Sequence, residues 1–450
     1  MSLPRYSNYR NSGTQWLGDV PGHWHVTRLK YACSVMPSNV DKKSYDDETP
    51  IVLCNYTDVY YNDKITNSIE FMPATASGEQ ISRFTLRGGD TLITKDSETA
   101  DDIAISAYVP EDMPGVVCGY HLAVIRPKCA QKGLYIKFLF DSYYLKACFA
   151  VAANGLTRVG LPQYALDNVI IPLPPPDEQS AISEFLEAET RKIDALIAGQ
   201  EKLLELLAEK RQATISHAVT HGLNPDVPMK DSGVEWLGMV PKHWSVGALS
   251  YLCLIETGST PNRGEPSYWN GTIPWVKTGE INWAPISEAE ELISEAGLAN
   301  SAAKLAKPGT LLMAMYGQGA TRGRVALLEI EAAYNQACAA MSFGQRILPT
   351  FARYFFMAAY SYIRDNGNET SQMNLSAGLI AKLKITIPPI EEQEKIVGWL
   401  ESEERKLNFL NIEAGRIIDL LNERRSALIS AAVTGKIDVR EHTPALAAAA

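Results

Sequence analysis

The chain repeats itself, and no other property constrains its fold as strongly. The segment Ser12-Gly13-Thr14-Gln15-Trp16-Leu17-Gly18-Asp19-Val20-Pro21-Gly22-His23-Trp24 returns 220 residues later as Ser232-Gly233-Val234-Glu235-Trp236-Leu237-Gly238-Met239-Val240-Pro241-Lys242-His243-Trp244. The match runs on through Val26/Val246, Leu29/Leu249, Tyr31/Tyr251 and Cys33/Cys253. A second block matches at an offset of 214: Leu173-Pro174-Pro175 with Ile387-Pro388-Pro389, and Glu178-Gln179 with Glu392-Gln393. Its register holds to Ala218-Val219-Thr220 and Ala432-Val433-Thr434, whereas residues 34–170 and 254–384 share little. Repetition on this scale dictates architecture: a head, a variable insert and a tail, then the same again.

The tails read as long helices. Pro174-Pro175-Pro176 and Pro388-Pro389 close an extended segment, because proline lacks an amide and disfavours helix in the residue before it. Asp177 or Glu178, and Glu391 or Glu392, then place negative charge where a helix dipole favours it. No proline follows until past Thr220 and Thr434, and Gly199 and Gly415 each cost only about 1 kcal/mol. Alternating steps of three and four pick out Leu186, Ile193, Leu196, Leu203 and Leu207, then Leu400, Leu407, Leu410, Ile417 and Leu421, with polar residues in some layers. That is a coiled-coil seam. About 40 residues span roughly 60 Å at the helical rise, and so long a helix cannot bury its stripe alone. Antiparallel pairing of the two places the inserts about a pseudo-twofold axis; two separate core helices are the alternative.

The expected fold class is α+β: two mixed α/β domains separated by two long antiparallel helices. Boundaries are expected at 1–176, 177–222, 223–390 and 391–440, with a frayed tail at 441–450. With 46% hydrophobic and 21% charged residues in 450, large cores can form, and disordered or collagenous classes do not fit. No run approaches the roughly 18 apolar residues of a membrane span, and the polar start is no signal peptide, so a soluble, cytoplasmic protein is expected. Seven scattered cysteines lack metal-site spacing and read as reduced thiols. The formal charge of −10 argues mildly against nucleic acid, which is bound through Lys and Arg. Segments 177–222 and 391–440 hold −6 of it.

Each insert mixes strands and turns. Pro50–Tyr60, Thr91–Thr94 and Tyr120–Pro127 read as strands in the first, Ile273–Lys277 and 308–315 in the second. Gly89-Asp90-Thr91-Leu92 and Gly309-Thr310-Leu311 open equivalent strands, which suggests one fold with two surfaces. After these strands, Tyr316–Arg324 offers Gln318, Thr321, Arg322 and Arg324 on a glycine-rich loop, and the first insert offers Lys95, Ser97 and Thr99. Lys277 ends a strand nearby. Gln pairs with adenine, Arg with guanine, and Lys with phosphate, so these are the candidate DNA contacts; a solvated turn explains Lys95–Thr99 equally well. No Walker loop is present. His23 and His243 beside tryptophans read as packed, hydrogen-bonded histidines. No catalytic or metal residues stand out, since Asp101-Asp102 and Glu290-Glu291 lack metal spacing and read as surface charges.

The duplicated Trp-Leu-Gly-x-Val-Pro-x-His-Trp heads, the Pro-Pro-x-x-Glu-Gln helix openings, and the endings Ala218-Val219-Thr220-His221-Gly222 and Ala432-Val433-Thr434-Gly435-Lys436 resemble the specificity subunit of type I restriction–modification systems. Asn55-Tyr56-Thr57-Asp58-Val59 and Asn335-Gln336-Ala337 resemble its target-recognition domains. The resemblance implies two target-recognition domains, each reading half of an asymmetric bipartite site in double-stranded DNA, with the helices as ruler. It implies two modification (methyltransferase) subunits carrying S-adenosylmethionine, restriction subunits using ATP and Mg, and no cofactor on this chain. The rivals are a stand-alone modifying enzyme and a two-armed protein scaffold. Against the first, there is neither an Asn-Pro-Pro-Tyr nor an Asp-Pro-Pro-Tyr motif, and Asn224-Pro225-Asp226 lacks the aromatic that would stack on a flipped base.

Overall fold

The computed structural model describes residues 3–128, 132–317, 320–365 and 375–442. It divides into two compact units, one joining the chain up to Gln200 with the stretch from Arg416, the other being Glu201–Gly415. The tails are helical over Pro176–His221 and Ile390–Val433, and Gly199, Gly398 and Gly415 break neither. Each unit holds the start of one long helix and the end of the other, so they run antiparallel within it. In the first, Ile182, Phe185 and Leu186 share a core with Ile429, Ala432 and Val433. In the second, Ile215, Ala218 and Val219 join Ile396, Val397 and Leu400.

One contact shows the repeat in single side chains. In the first unit Arg425 Nε lies 3.2 Å from Asp194 Oδ1; in the second Arg211 donates to Asn408 Oδ1. Under the offset of 214, Asp194 corresponds to Asn408 and Arg211 to Arg425. The same two positions therefore pair in both units.

The seam divides. Leu186, Ile193, Leu207, Leu400, Leu407 and Ala414 are buried, and Leu421 is half-buried. Leu196, Leu203, Leu410 and Ile417 are 38–56% exposed. The physical reason is geometric: a lone helix pair encloses one narrow stripe, and only beside a domain is a second row covered.

The inserts are one fold. In the first unit, an antiparallel sheet runs Ser106–Tyr108, Thr91–Thr94, Leu122–Pro127, Cys33–Pro37, and a second runs Met72–Ala76, Thr49–Cys54, Met113–Cys118, Thr85–Leu86. The second unit repeats both orders: Val325–Leu327, Leu311–Ala314, Cys338–Phe343, Cys253–Thr257, and Glu291–Ile293, Trp269–Val276, Ala332–Tyr334, Leu305–Ala306. In each, one central pair is parallel, Thr49–Cys54 with Met113–Cys118 and Trp269–Val276 with Ala332–Tyr334. Gly89 and Gly309 open the equivalent strands with φ of 92° and 88°, a conformation that favours glycine. The strand expected over Pro50–Tyr60 stops at Cys54, and Tyr56–Tyr60 is helical. The Asn55 amide donates to Asp58 Oδ2 at 2.7 Å, closing a capping box that strand propensity does not reveal.

The repeated motifs prove to be clamps. Glu178 accepts from the buried Trp24 Nε1 at 2.9 Å and meets His23 Nε2 at 2.7 Å. Glu392 does the same for Trp244 and His243, both at 2.9 Å. Gln179 donates to Pro174 O at 2.8 Å and accepts from the Lys132 amide at 3.0 Å, which caps helix Gly133–Asp141. Gln393 repeats this with Pro388 O and the Leu348 amide, which caps Pro349–Ala358. Sequence reading found the helix-opening charges but not these partners.

Candidate nucleic-acid interface

The parallel strand pair in each domain ends at one edge, and there the two domains carry different side chains. In the first, Thr49–Cys54 and Met113–Cys118 run out into Asn55 and Gly119. A Cβ on Gly119 would stand 2.8 Å from Cys54 O, so only glycine lets the strands turn this closely. Tyr120, 49% exposed, and His121 follow. Lys95 leaves the neighbouring strand, its amide donating to His121 O at 3.0 Å. Its ammonium lies 4.4 Å from the Tyr120 ring centre and 3.4 Å from Ser38 O. Asp96 Oδ2 meets His121 Nδ1 at 2.8 Å.

Beside this corner Tyr56 stacks on Tyr60 at 5.4 Å and 19°, and Tyr60 donates to Asp102 at 2.9 Å. The adjoining Tyr61 is 77% exposed. Burial raises the Tyr56 hydroxyl pKa, while a hydrogen bond with Ser97 lowers it. Ser97 is buried on a short strand paired with Val159–Gly160, and Thr99 is exposed. Residues 34–128 carry fifteen acids against eight bases. The domain is thus net acidic, and the groups gathered at this corner are aromatic faces, an imidazole, amides and the Lys95 cation.

In the second domain the equivalent edge ends at Lys277 and Asn335, around a cavity of about 550 Å³ lined also by Thr260, Arg263, Trp275 and Glu290. Arg263 packs 3.9 Å from the Trp269 ring and pairs with Glu291 at 2.6 Å. Lys277 reaches Glu290 at 2.8 Å and Glu291 at 3.0 Å, and these carboxylates raise its pKa, Glu290 first. The Arg263 bond leads the causes that lower Glu291. Glu290-Glu291, expected to be plain surface charges, thus hold both cations of the edge. Thr260 donates to Gln336 Oε1 at 2.5 Å. Such a lattice of alternating charges on tryptophan faces holds both hydrogen-bond donors and acceptors, the two kinds of group that a base edge can pair with.

The Tyr316–Arg324 loop starts at this edge, where the Met315 amide donates to Ala337 O at 2.8 Å, as Lys95 does to His121. Its described far end, from Thr321 to Arg324, is half to fully buried. Arg322 is buried and donates to Arg364 O at 2.6 Å, at the end of helix Tyr360–Asp365. Arg324 is half-buried and Thr321 half-exposed; Tyr360 donates to Ala320 O. Gln318 lies outside the described residues. Lys277 thus follows the strand whose counterpart in the first domain runs into Asn55, Lys95 corresponds to Met315 rather than to Lys277, and the Arg322 guanidinium is tied into the fold. Arg263, Trp269, Tyr120 and His121, which the sequence did not mark as candidates, also lie at these edges. Among the described residues no group of His, Cys, Asp or Glu fits a metal ion, and no helix is long and apolar enough to cross a membrane.

The comparisons with known proteins agree with this fold. A putative type I restriction enzyme MjaX specificity subunit from Methanocaldococcus jannaschii is 22% identical over 94% of this chain and 96% of its own. The EcoR124I/EcoR124II specificity subunit of Escherichia coli is 24% identical over 65% and 69%. Among solved structures, a chain from a study of type I R-M complex assembly aligns with a TM-score of 0.71 at 16% identity, covering 92% of this chain and 98% of that one. The HsdS subunit of Thermoanaerobacter tengcongensis gives 0.55 at 18% over the same shares. The family described as "Type I restriction modification DNA specificity domain" matches twice, over 24–206 and 241–416, and the chain belongs to that family of type I restriction–modification specificity subunits.

Proposed function

We propose that the chain reads an asymmetric, bipartite site in double-stranded DNA, one half-site per target-recognition domain, with the paired helices as ruler. One observation carries this: two domains of identical strand order end in differing edges, aromatic-imidazole around Lys95 and His121, charge-lattice around Lys277 and Arg263. Unlike readers on a repeated frame require an unlike pair of half-sites. The chain itself is non-catalytic in this reading and holds no cofactor. Two modification subunits supply S-adenosylmethionine, and restriction subunits supply ATP and Mg chemistry.

The partner face is the exposed half of the seam. Leu196, Leu203, Leu410 and Ile417 are joined by Leu206 and Leu420, 48% and 54% exposed, and every one has an apolar counterpart in the other repeat. Exposed leucines recurring at matched positions fit a helical partner bound once per repeat. Duplex binding by the purified complex should weaken steeply between about 50 and 200 mM salt and disappear when base pairs are added between the half-sites. Affinity indifferent to salt and to sequence would refute the reading.

A further inference from the structure

The heads carry a second duplicated surface that the clamps and reading edges leave unused. Trp16 is 55% exposed, and Tyr31 and Tyr251 are 65% and 83% exposed; Trp236, the counterpart of Trp16, is half-buried. Tyr31 and Tyr251 are the aromatics exposed at matched positions, whereas Trp236 packs on Phe355 and Tyr362 at 5.3 and 5.2 Å. Each tryptophan borders a cavity between its head and a short helix. The first, about 620 Å³, is lined by Trp16, Phe149, Tyr164 and Asn168; the second, about 420 Å³, by Val234, Trp236, Leu379 and Lys382.

Two positive charges stand beside each cavity, carried by different residues. In the first repeat they are Arg28 and Lys30, whose counterparts are Ala248 and Ser250. In the second they are Lys382 and Lys384, whose counterparts are Asn168 and Ile170. The exchange runs across a strand pair: Arg28 lies opposite Ile170, and Lys384 opposite Ala248. In the first repeat Asn168 Oδ1 accepts from Lys30 at 2.8 Å and from Arg28 at 3.3 Å, and the Lys30 ammonium lies 5.4 Å from the Tyr31 ring centre. Arg28, Lys382 and Lys384 are exposed and Lys30 half-exposed. None of the four pairs with a carboxylate among the described residues. The sequence changed, but the charge stayed in place.

We propose that each head presents a docking site, made of a tryptophan-lined cavity, a tyrosine and two cations, for an acidic segment of the modification subunit bearing an apolar side chain. This rests on the reading that one such subunit binds each repeat, and it adds a contact separate from the helix stripe. Duplication on otherwise divergent units fits one partner used twice. The first cavity is mostly apolar and the second is mixed, with Glu235 and two lysines on its wall; apolar walls fit a protein side chain better than a sugar-phosphate backbone, whose groups are polar.

The test titrates the full chain with purified modification subunit and counts bound copies by native mass spectrometry. Arg28→Glu with Lys30→Glu is expected to weaken one copy at least tenfold, Lys382→Glu with Lys384→Glu the other, and Tyr31→Ala or Tyr251→Ala the matching copy without altering charge. Thermal melts should stay as in wild type, since these side chains are at the surface. Two copies bound with wild-type affinity by both charge-reversed proteins would overturn the proposal. So would loss of duplex binding by the chain alone with both copies retained, which would assign the patch to DNA. Failure of the wild-type chain to bind any modification subunit would instead sink the reading beneath it, and the named occupant with it.

Discussion

At the scale of residues, stability concentrates in contacts that span long stretches of chain. Glu178, nearly buried, accepts from the indole of a fully buried tryptophan. Glu178→Ala should cost about 1–3 kcal/mol, the penalty for an orphaned buried donor, measured by denaturant unfolding. Glu392, more exposed at 27%, should cost less. Asp63 is one acid-sensitive point among the described residues. Burial pushes its carboxyl up, but Lys137 at 3.0 Å and Arg425 at 2.9 Å outweigh it and hold the pKa below the ordinary 3.8. A depressed folded-state value adds stability above the unfolded value, and that stability is lost as pH falls through the folded one. Asp63→Asn should therefore destabilise at neutral pH, do nothing in strong acid, and matter less at high salt, because the side chain, though partly desolvated by its neighbours, keeps 59% of its surface in water. These residues stood out in the sequence only as repeats or charges. The Glu178 partner is 154 residues away, and no local pattern points to it.

At the scale of elements, helix and strand placement was largely legible. Proline stops, capping acids and apolar spacing located both long helices, and glycine turns located the central strands. What periodicity could not say is which half of a seam is covered. Leu207→Ala should destabilise by about 2–5 kcal/mol, as for a buried leucine, whereas Leu203→Ala should stay within about 0.5 kcal/mol, as at a surface. Unfolding midpoints of the two variants decide it. Leu203→Glu should leave the melt unchanged yet weaken partner binding, read in the same titration.

At the scale of the whole molecule, duplication was the most legible feature and the reading surface the least. The glycine-rich loop drew the eye because Gln and Arg suit base edges. Arg322 is buried against a helix end, and Lys95 and Lys277 follow non-equivalent strands of the two domains, placements that residue type alone does not give. Specificity should thus separate by domain: Lys277→Ala with Arg263→Ala should alter one half-site and spare the other. The most direct measurement is sequencing of methylated positions in DNA from cells carrying the chain and its partners, wild type against that double variant. The account predicts a split, asymmetric motif of constant spacing in wild type, and relaxation or loss of one half alone in the variant. An uninterrupted or symmetric motif, or a variant that changes both halves together, would contradict it.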